Sequence, residues 1–353
     1  MRIITLTEIA ERAGVSVATV SNALSGKGRM RDDLRRRIVQ FAREMGYDMS
    51  REHGMSATAP KIAILAEQLG IDFCSIIIEG ISIAAIERKC HVAIYNMELL
   101  RNDPRNCNPD KTYASGEIRR VLEQIGGSTY GMIYVSQFPR NIDGLLPSLP
   151  FPVVYTYCYS SGSSVCINYN DKQGALLATR HLLNQGCRHI AMISGQINSI
   201  PMIRRFSGYQ QALVEAGMEI DLSLVRTGEW SSIRAYNDMK DLLCAKVRPD
   251  GVFCQSDQIA LGAIRAIREQ GLRIPEDIAI IGFDDMAIAL ASDPPLSSIA
   301  TPCREIGMQA CNILLDILSG KHPENNNILL DCTLLPRKSS LRIVPEEMVS
   351  DNS

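Results

Sequence analysis

The sequence lacks the segments that direct a chain into or across a membrane. Its first residues, MRIITLTEIAERAG, contain no apolar stretch typical of secretory signals, and no apolar run elsewhere approaches the roughly 20 residues that span a bilayer. The 11 cysteines include no C-x-x-C pair, and no Cys/His spacing suits zinc. We therefore expect a cytoplasmic protein with reduced thiols, no membrane partner and no metal or other cofactor.

The motifs of common enzymes are also absent. The chain has no G-x-S-x-G, no H-E-x-x-H, no Walker pattern and no dinucleotide-binding glycine fingerprint. The segment SGKGR lacks the upstream glycine of a phosphate-binding loop, and His181 and His189 lie on or beside a predicted helix without an evident nucleophile. These absences argue against an enzyme with catalytic residues and favour a binding protein.

Neither sign of charge is in large excess, but the charge is unevenly distributed. The 353 residues hold 37 Lys/Arg and 39 Asp/Glu, a formal net charge of -2. Residues 1–60 alone carry 10 basic and 7 acidic residues, a net charge of +3, so the remainder carries -5. The length suits two or three domains. The charge division marks the first 60 residues as a separate, locally basic module.

Three short helices are predicted within residues 1–47. Thr5 and Glu8 have the spacing of a capping box, and Gly14 ends the helix that they begin. Ser16 can cap the second helix. The predicted helices cover about residues 6–13, 17–24 and 32–45.

From Lys61 onward, apolar runs alternate with helical stretches. The runs KIAIL, HVAIY, YGMIYV, FPVVY, HIAMI, GVFC and IAIIGF are typical of parallel strands covered by helices on both faces. We therefore expect an α/β core of two doubly wound parallel-sheet lobes. Ligands of such sheets bind beyond the carboxyl ends of the strands. The residues at these ends are mostly polar, with a single Trp, which suits a small polar ligand.

The turn between the first two predicted helices, with Gly14 and Ser16, fits a helix-turn-helix. The second helix of this motif enters the major groove, where small apolar side chains can contact thymine methyl groups and Asn can pair with adenine. Hydroxyl groups and Arg can hold phosphates. The alternative is a three-helix domain with a solvated basic face, but the turn spacing and the Ser/Thr/Asn-rich helix favour DNA binding. The predicted DNA contacts in this region are Thr5, Ser16, Val17, Ala18, Thr19, Ser21, Asn22 and Arg29.

The segments TLTEIAERAGVSVATVSNAL and RRRIVQFAREMGY resemble the DNA-binding headpiece of the LacI/GalR family of bacterial transcription regulators. The resemblance continues through ALLATRHLLNQGCRHIAMISG, RRFSGYQQALVEAGM, SDQIALGAIRAIREQGLRIPEDIAIIGFDD and DPPLSSIATPCREIG, in the order of the family. It implies a sugar- or purine-sensing core of periplasmic-binding-protein type I-like fold, with the effector between its two lobes. It also implies a homodimer that binds double-stranded operator DNA and is controlled by this small molecule.

The segment after Tyr47 departs from the family pattern, in which Pro-Asn and then Ala-Arg-x-Leu form a hinge helix on DNA. Here Tyr47 is followed by Asp-Met-Ser, and Ser56 stands where the Leu is expected. A side chain that wedges between base pairs needs an apolar group, and Met55 is the nearest one. We expect that Met55 provides the wedge or that the wedge is absent.

Two candidate effector contacts follow the second-lobe pattern of the family most closely. Arg205, three residues before Gly208, matches the family Arg that binds ligand hydroxyls or a carbonyl group. If the match is displaced by one residue, the neighbouring Arg204 is the family Arg instead. Trp230 resembles the aromatic residue that stacks on a sugar face in some members. The other interpretation of Trp230 is a core or interface residue.

The remaining effector candidates carry open alternatives. Asp257 can accept hydrogen bonds from sugar hydroxyls or cap a helix, and Asp284 is assigned in the same way. Asn170 and Asp171 stand in exchanged order relative to the family, and Asp171 can equally be an N-cap. The candidate effector residues are Phe73, Gln137, Asn170, Asp171, Arg205, Trp230, Asp257 and Asp284.

These observations predict a ligand-responsive transcriptional regulator, a repressor in most of the family, with a sugar-like effector. The alternatives are a regulator that responds to a purine or nucleoside, and a small-molecule binding protein without DNA function. One side of the apolar helix FCSIIIEGISIAAIERKC is available to meet a second subunit. The predicted boundaries are a headpiece at 1–47, a hinge at 48–60, an N lobe at about 61–160 and 290–318, a C lobe at about 161–289 and 319–340, and a tail at 341–353.

Overall fold

A computed structural model describes residues 4–24, 30–45, 47, 61–70, 72–97, 111–125 and 129–342. The chain divides into two compact units. The first comprises Met1–Val135, Asp143–Val154 and Met308–Glu324, and the second comprises Ser136–Ile142, Tyr155–Gly307 and Asn325–Ser353. Among the described residues, no helix is long and apolar enough to cross a membrane, and no group of His, Cys, Asp or Glu has the arrangement of a metal site.

The amino-terminal region forms the three predicted helices: α1 (Leu6–Ala13), α2 (Val17–Leu24) and α3 (Asp32–Glu44). The capping box is present, because the Thr5 hydroxyl accepts from the Glu8 amide and the Glu8 carboxylate accepts from the Thr5 amide. Gly14 ends α1 at a φ of 67°, which favours glycine. The three helices enclose a small apolar core of Ile9, Ala10, Ala13, Val20, Ala23, Leu24, Ile38 and Ala42.

The first unit also contains a parallel sheet in which β1 pairs with β2 on one side and with β3 on the other. Strand β1 is almost wholly buried, as expected for a central strand covered on both faces. Its elements are β1 (Lys61–Ala66), α4 (Asp72–Glu87), β2 (His91–Asn96), α5 (Lys111–Gln124) and β3 (Gly131–Val135). The division between the units falls within β4 (Val153–Thr156) and within α11 (Cys303–Leu318).

The second unit contains a four-stranded sheet in the order β7-β6-β8-β9, and its pairs are parallel. Its elements, in chain order, are β5 (Val165–Tyr169), α6 (Asp171–Asn184), β6 (Ile190–Ser194), α7 (Ile200–Glu215), β7 (Val225–Thr227), α8 (Ser232–Leu243), β8 (Gly251–Cys254), α9 (Asp257–Glu269), β9 (Ala279–Ile281), α10 (Ala287–Ala291), β10 (Ser298–Ala300), β11 (Asn327–Leu330) and β12 (Thr333–Leu335). Strand β5 pairs in parallel with β11. Strands β10 and β12 form an antiparallel pair, which the predicted parallel arrangement did not include.

Two glycines allow the helices of the second unit to approach each other closely. A Cβ at Gly208 of α7 would overlap the carbonyl oxygen of Lys172 in α6, and a Cβ at Gly262 of α9 would overlap that of Ser232 in α8. Arg205 lies one turn before Gly208 on α7. Because α6 and α7 approach closely at Gly208, the Arg205 side chain reaches Asp171, the first residue of α6. This approach positions the polar cluster described below.

Candidate functional site

Helix α2 contains five of the nine residues predicted to contact DNA. The Ser16 hydroxyl accepts from the Thr19 amide at 3.1 Å and lies 2.8 Å from the Thr19 hydroxyl, so Ser16 caps the helix. Val17 is 41% exposed although it is apolar, because the buried face of α2 is formed by Val20, Ala23 and Leu24.

The other predicted DNA contacts differ in their accessibility. Ala18 and Asn22 are exposed beside Val17, whereas Ser21 is half-buried. Thr5 is exposed, but its hydroxyl belongs to the capping box. Arg29, Met55 and the predicted hinge lie outside the described residues.

In the second unit, Arg205 lies at the centre of a buried polar cluster. Its Nε donates to Asp171 Oδ1 at 2.8 Å, and this pair is almost fully buried, with side-chain exposures of 3% and 1%. A second guanidinium nitrogen donates to the main-chain oxygen of Gln255. The third donates to the Tyr169 hydroxyl at 3.1 Å and lies 3.6 Å from Asp284 Oδ1. The neighbouring Arg204 instead stacks on Tyr159 at 4.1 Å, so it is Arg205 that enters the cluster.

Three aromatic rings surround the same guanidinium. Its carbon lies 3.7 Å from the ring centre of Phe283, 5.7 Å from that of Trp230 and 5.9 Å from that of Tyr169. Trp230 is half-buried, packs against the apolar core and contacts Gly195, where a Cβ would overlap the indole. Trp230 therefore packs against the core and also forms an aromatic wall beside Arg205, while its stacking on a sugar face stays a prediction.

The cluster contains hydrogen-bond acceptors for which the described residues supply no donor. They are Asp171 Oδ2, Asp284 Oδ1 and Gln255 Oε1, although Asp284 Oδ1 also faces Arg205 at the distance given above. Burial raises the pKa of the Asp171 carboxyl, and it raises the pKa of Asp284 well above its usual range, while Arg205 opposes both shifts. Since unpaired buried acceptors are costly, a ligand that brings several donors would be stabilised here.

The exchanged pair Asn170 and Asp171 has a clear division of roles. The Asn170 side chain caps α6 by accepting from the Gln173 amide at 3.2 Å, and it donates to Asp331 at 3.2 Å. Asp171 is not the N-cap, because it is the first residue of the helix and its carboxylate faces Arg205. Asn170 is half-buried at the edge of the cluster.

Asp257 does not cap α9, which was one of its two predicted roles. The cap of α9 is Ser256, whose hydroxyl accepts from the Ile259 amide. The carboxylate of Asp257 is buried and both of its oxygens are occupied, one by the Met286 amide at 2.7 Å and the other by the Ser298 hydroxyl at 2.6 Å. Both oxygens therefore already accept a hydrogen bond from the protein, and direct contact of Asp257 with a ligand stays a prediction.

The two remaining candidates lie outside this set of contacts. Gln137 is buried in the segment Ser136–Ile142, which belongs to the same unit as Arg205. Phe73 is half-buried in the first turn of α4, in the other unit. Neither position tests the predicted role.

Sequence reasoning missed three members of the cluster: Tyr169, Gln255 and Phe283. Tyr169 is the last residue of β5, Gln255 directly follows β8, and Phe283 lies two residues after β9. The rule that ligands bind beyond the carboxyl ends of parallel strands could therefore have identified all three. Tyr169 also has a partner of its own, because its hydroxyl lies 3.2 Å from that of Tyr157. Phe283 packs so closely on Gly174 of α6 that a Cβ there would contact its ring at 2.8 Å.

Comparison with known families gives two matches along the chain. The protein-family model described as "Bacterial regulatory proteins, lacI family" matches residues 5–50. A second family model, described as "Periplasmic binding protein-like domain", matches residues 179–340. These ranges contain the helix-turn-helix and the Arg205 cluster, except for Tyr169, Asn170 and Asp171.

Relatives are similar over nearly their whole length. The "HTH-type transcriptional repressor PurR" of Erwinia tasmaniensis is 30% identical over 95% of this chain and 96% of its own. The "HTH-type transcriptional repressor CytR" of Escherichia coli is 31% identical with the same coverage. The "Ribose operon repressor" of Haemophilus influenzae is 28% identical over 95% of this chain and 98% of its own.

Solved structures share the fold. A "transcriptional regulator CelR-cellobiose complex" is 25% identical with a TM-score of 0.66, over 96% of this chain and all of that chain. The lac repressor dimer bound to operator and the anti-inducer ONPF is 23% identical with a TM-score of 0.67, over 97% and 100%. These matches confirm the predicted fold class, a helix-turn-helix headpiece followed by two parallel-sheet α/β lobes of the periplasmic-binding-protein type I-like class.

Proposed function

This chain belongs to the LacI family of bacterial regulatory proteins, and we propose that it is a ligand-responsive transcriptional repressor that binds a palindromic operator as a homodimer. The DNA-binding part of the proposal is supported by the N-terminal face of α2, where small and polar side chains are exposed instead of a charged, solvated surface. The relatives described above are named as repressors, two of them as HTH-type transcriptional repressors.

The experiment that tests DNA binding is selection of bound sequences from a random double-stranded pool by the purified full-length protein. A palindromic consensus, bound with an affinity that falls as salt rises, is the expected result. If no sequence is enriched, and no salt-dependent binding to any duplex is found, the DNA-binding proposal is wrong and a small-molecule binding protein without DNA function becomes the better reading.

We infer that the effector binds at the Arg205 cluster and is a sugar or sugar derivative. The observation that carries this inference is a set of buried acceptor atoms that receive no hydrogen bond, namely Asp171 Oδ2, Asp284 Oδ1 and Gln255 Oε1, since hydroxyl groups can donate to each of them. Trp230 supplies an apolar face on which a sugar ring can stack. Because Asp171 already pairs with Arg205, a negatively charged ligand would find this cation paired.

A purine or nucleoside is the second candidate. Its amino groups can also donate to the carboxylates, and the aromatic rings of Trp230 and Phe283 beside Arg205 favour a flat ligand. A thermal-shift panel containing D-ribose, cellobiose, adenosine, cytidine, hypoxanthine and guanine separates the two classes, because a ligand specific for the folded state raises apparent stability. The candidate contact residues are Phe73, Gln137, Asn170, Asp171, Arg205, Trp230 and Asp284.

Regulation would follow from a difference in effector affinity between DNA-bound and free protein. An effector changes operator binding only to the extent that it binds the two states unequally, and operator DNA then changes effector affinity by the same factor. Measuring operator affinity with and without the ligand found in the panel tests this link and shows whether the ligand releases DNA or promotes its binding.

The homodimer is proposed from α4 and the adjacent strand. Ile86 on α4 is 77% exposed and Ile94 on β2 is also exposed, which leaves apolar surface on the first unit. We expect sedimentation equilibrium to give twice the chain mass for the parent and a weaker dimer for Ile86→Asp, with Val214→Asp, at an exposed position on α7, as the control. A monomeric parent would contradict the homodimer.

A further inference from the structure

The turn after β9 carries the carboxylate that faces Arg205, and its backbone is unusual. Asp284 has a φ of 102° and Asp285 a φ of 53°, although both residues carry side chains. The left-handed region is sterically unfavourable for such residues. The surrounding structure must therefore hold the turn in place, and the groups that hold it also determine where the Asp284 carboxylate lies.

Asp257 is one of the side chains that contact this turn. One of its oxygens accepts from the Met286 amide at 2.7 Å, directly after the two left-handed residues. The other accepts from the Ser298 hydroxyl at 2.6 Å, and the same hydroxyl accepts from the Asp285 amide at 3.1 Å. Asp257 thus connects the start of α9 to the turn directly through Met286 and indirectly through Ser298.

The contacts between Asp257 and this turn are closely packed. The Asp257 amide also donates to the Phe283 carbonyl at 2.8 Å, and a Cβ at Gly282 would overlap the Asp257 carboxylate. On its other side the turn is held by Arg337, which pairs with Asp285 at 2.7 Å. A ligand in contact with Asp284 would therefore also depend on the bonds that Asp257 makes to this turn.

We propose that Asp257 is a positioning residue of the effector site: its ionised carboxylate holds the turn Phe283–Met286 so that Asp284 stays beside Arg205. The inference rests on the proposed function in that it takes the Arg205 cluster as the effector site. Protonation of Asp257 reverses the direction of the Ser298 bond and replaces a charge-assisted bond to the Met286 amide with a weaker neutral one. The turn then loses the support that its left-handed residues need.

The surroundings of Asp257 allow this protonation at mildly acidic pH. Burial raises the pKa of Asp257 to about 6, against the hydrogen bonds from Ser298 and Met286 that lower it. Asp285 and Asp284 face it as like charges, and Arg337 faces it as a countercharge. The Cys254 thiol lies close by, and burial keeps its pKa well above the usual range.

One further titratable group is connected to this region. His181 on α6 lies 2.6 Å from the Ser340 hydroxyl, which donates to Ser297, the neighbour of Ser298. Burial lowers the pKa of His181. His181 therefore needs its own control in any pH titration of the turn.

The test is the fluorescence of Trp230 in the ligand-free, full-length protein as a function of pH. Trp230 is the only tryptophan in the chain and lies beside Arg205, so it reports a rearrangement of the cluster without any ligand. We expect a transition in emission with a midpoint of about pH 6 in the parent. Asp257→Asn should abolish it, because the amide keeps the shape and an acceptor oxygen but does not ionise.

Three further variants complete the test. Ser298→Ala removes a donor to the ionised carboxylate and should move the midpoint to higher pH, a result that purely structural damage would not produce. His181→Gln and Asp293→Asn, the latter at an exposed carboxylate paired with Arg268, should both keep the transition of the parent. A flat parent curve, an unchanged transition in Asp257→Asn, or loss of the transition in His181→Gln would overturn the inference.

Ligand affinity measured as a function of pH distinguishes this inference from the proposed function. For D-ribose, cellobiose or whichever panel compound stabilises the protein, affinity should fall about tenfold between neutral pH and about pH 5 in the parent, since roughly a tenth of the molecules keep Asp257 ionised there. Asp257→Asn should show no such fall. If no compound binds but the Trp230 transition behaves as expected, the effector proposal fails and the positioning role stands. If a compound binds with the same affinity at both pH values, the positioning role fails alone.

Discussion

Arg205 and Asp171 form an ion pair of 2.8 Å between two side chains that are almost completely removed from solvent. The pair joins the second turn of α7 to the first turn of α6. Removing one member of a buried pair leaves the other charge without a partner, which is more destabilising than the pair itself is stabilising.

The first prediction concerns the stability of this pair. Arg205→Ala should lower the free energy of unfolding in urea by about 3–5 kcal/mol, because Asp171 and Asp284 would lose their buried countercharge. The matched control is the neighbouring Arg204→Ala, which loses only its contact with Tyr159 and should cost about 0.5–1 kcal/mol. Equal effects of the two substitutions would show that Arg205 has no special role in the unit.

The second prediction concerns the wall formed by Trp230. Gly195→Ala should displace the indole, because the added Cβ overlaps it, and should reduce stability by about 1–3 kcal/mol. The displacement should change Trp230 emission and abolish the thermal shift produced by the panel ligand. Gly116→Ala on α5, where the added Cβ meets open space, is the control and should raise stability by about 0.5–1 kcal/mol. A bound ligand that shifts Gly195→Ala as much as the parent would place the effector away from Trp230.

The third prediction concerns base recognition by α2. Asn22→Ala should weaken binding to the selected operator by about 1–3 kcal/mol and relax the preference at one position of each half-site, with an unchanged salt dependence. Gln40→Ala, at an exposed residue of α3 whose amide pairs with Glu44, should leave affinity unchanged. The measurement is fluorescence anisotropy with operator variants at several salt concentrations. A uniform loss across all sequences would instead indicate a phosphate contact for Asn22.

The fourth prediction concerns pH and stability. The folded-state pKa of Asp257 is raised from 3.8 to about 6, so the folded protein holds a proton there that the unfolded chain releases. The contribution of Asp257 to the free energy of unfolding is fully present below about pH 4. It is lost as the pH rises through about 6, and the total loss is roughly 3 kcal/mol. Asp257→Asn should lack this loss. Urea unfolding at pH values from about 4 to 7.5 should therefore show the parent weakening relative to the variant, and parallel profiles would contradict the shift.

Much of the fold could be predicted from sequence because the signals are local. Capping by Thr5 and Glu8, the turn at Gly14 and the apolar periodicity of α1 to α3 act over three or four residues, so they can be read along the chain. Long apolar runs marked β1, β6 and β8 in the same way. Strands β5, β7, β10, β11 and β12 were not among the predicted apolar runs, and three of them are only three residues long.

The candidate site was predictable only in part. Arg205, Asp171, Trp230 and Asp284 were identified from the sequence, and the structure brings them together around one guanidinium. The hydrogen-bond partners of Asp257 lie 29 and 41 residues farther along the chain. Nothing in the local sequence pattern therefore distinguishes a carboxylate that contacts a ligand from one that holds a turn.

By itself, the sequence determined the helix-turn-helix, the alternation of strands and helices, and the family to which the chain belongs, because each depends on short-range spacing or on motif order. Only the tertiary structure decided that Asn170 caps α6 while Asp171 pairs with Arg205, that Phe283 stacks on the guanidinium, and that Asp257 accepts from the Met286 amide and the Ser298 hydroxyl. These roles arise because parallel strands bring distant residues to one edge of a sheet. At that edge, burial and the geometry of each hydrogen bond determine what a carboxylate does.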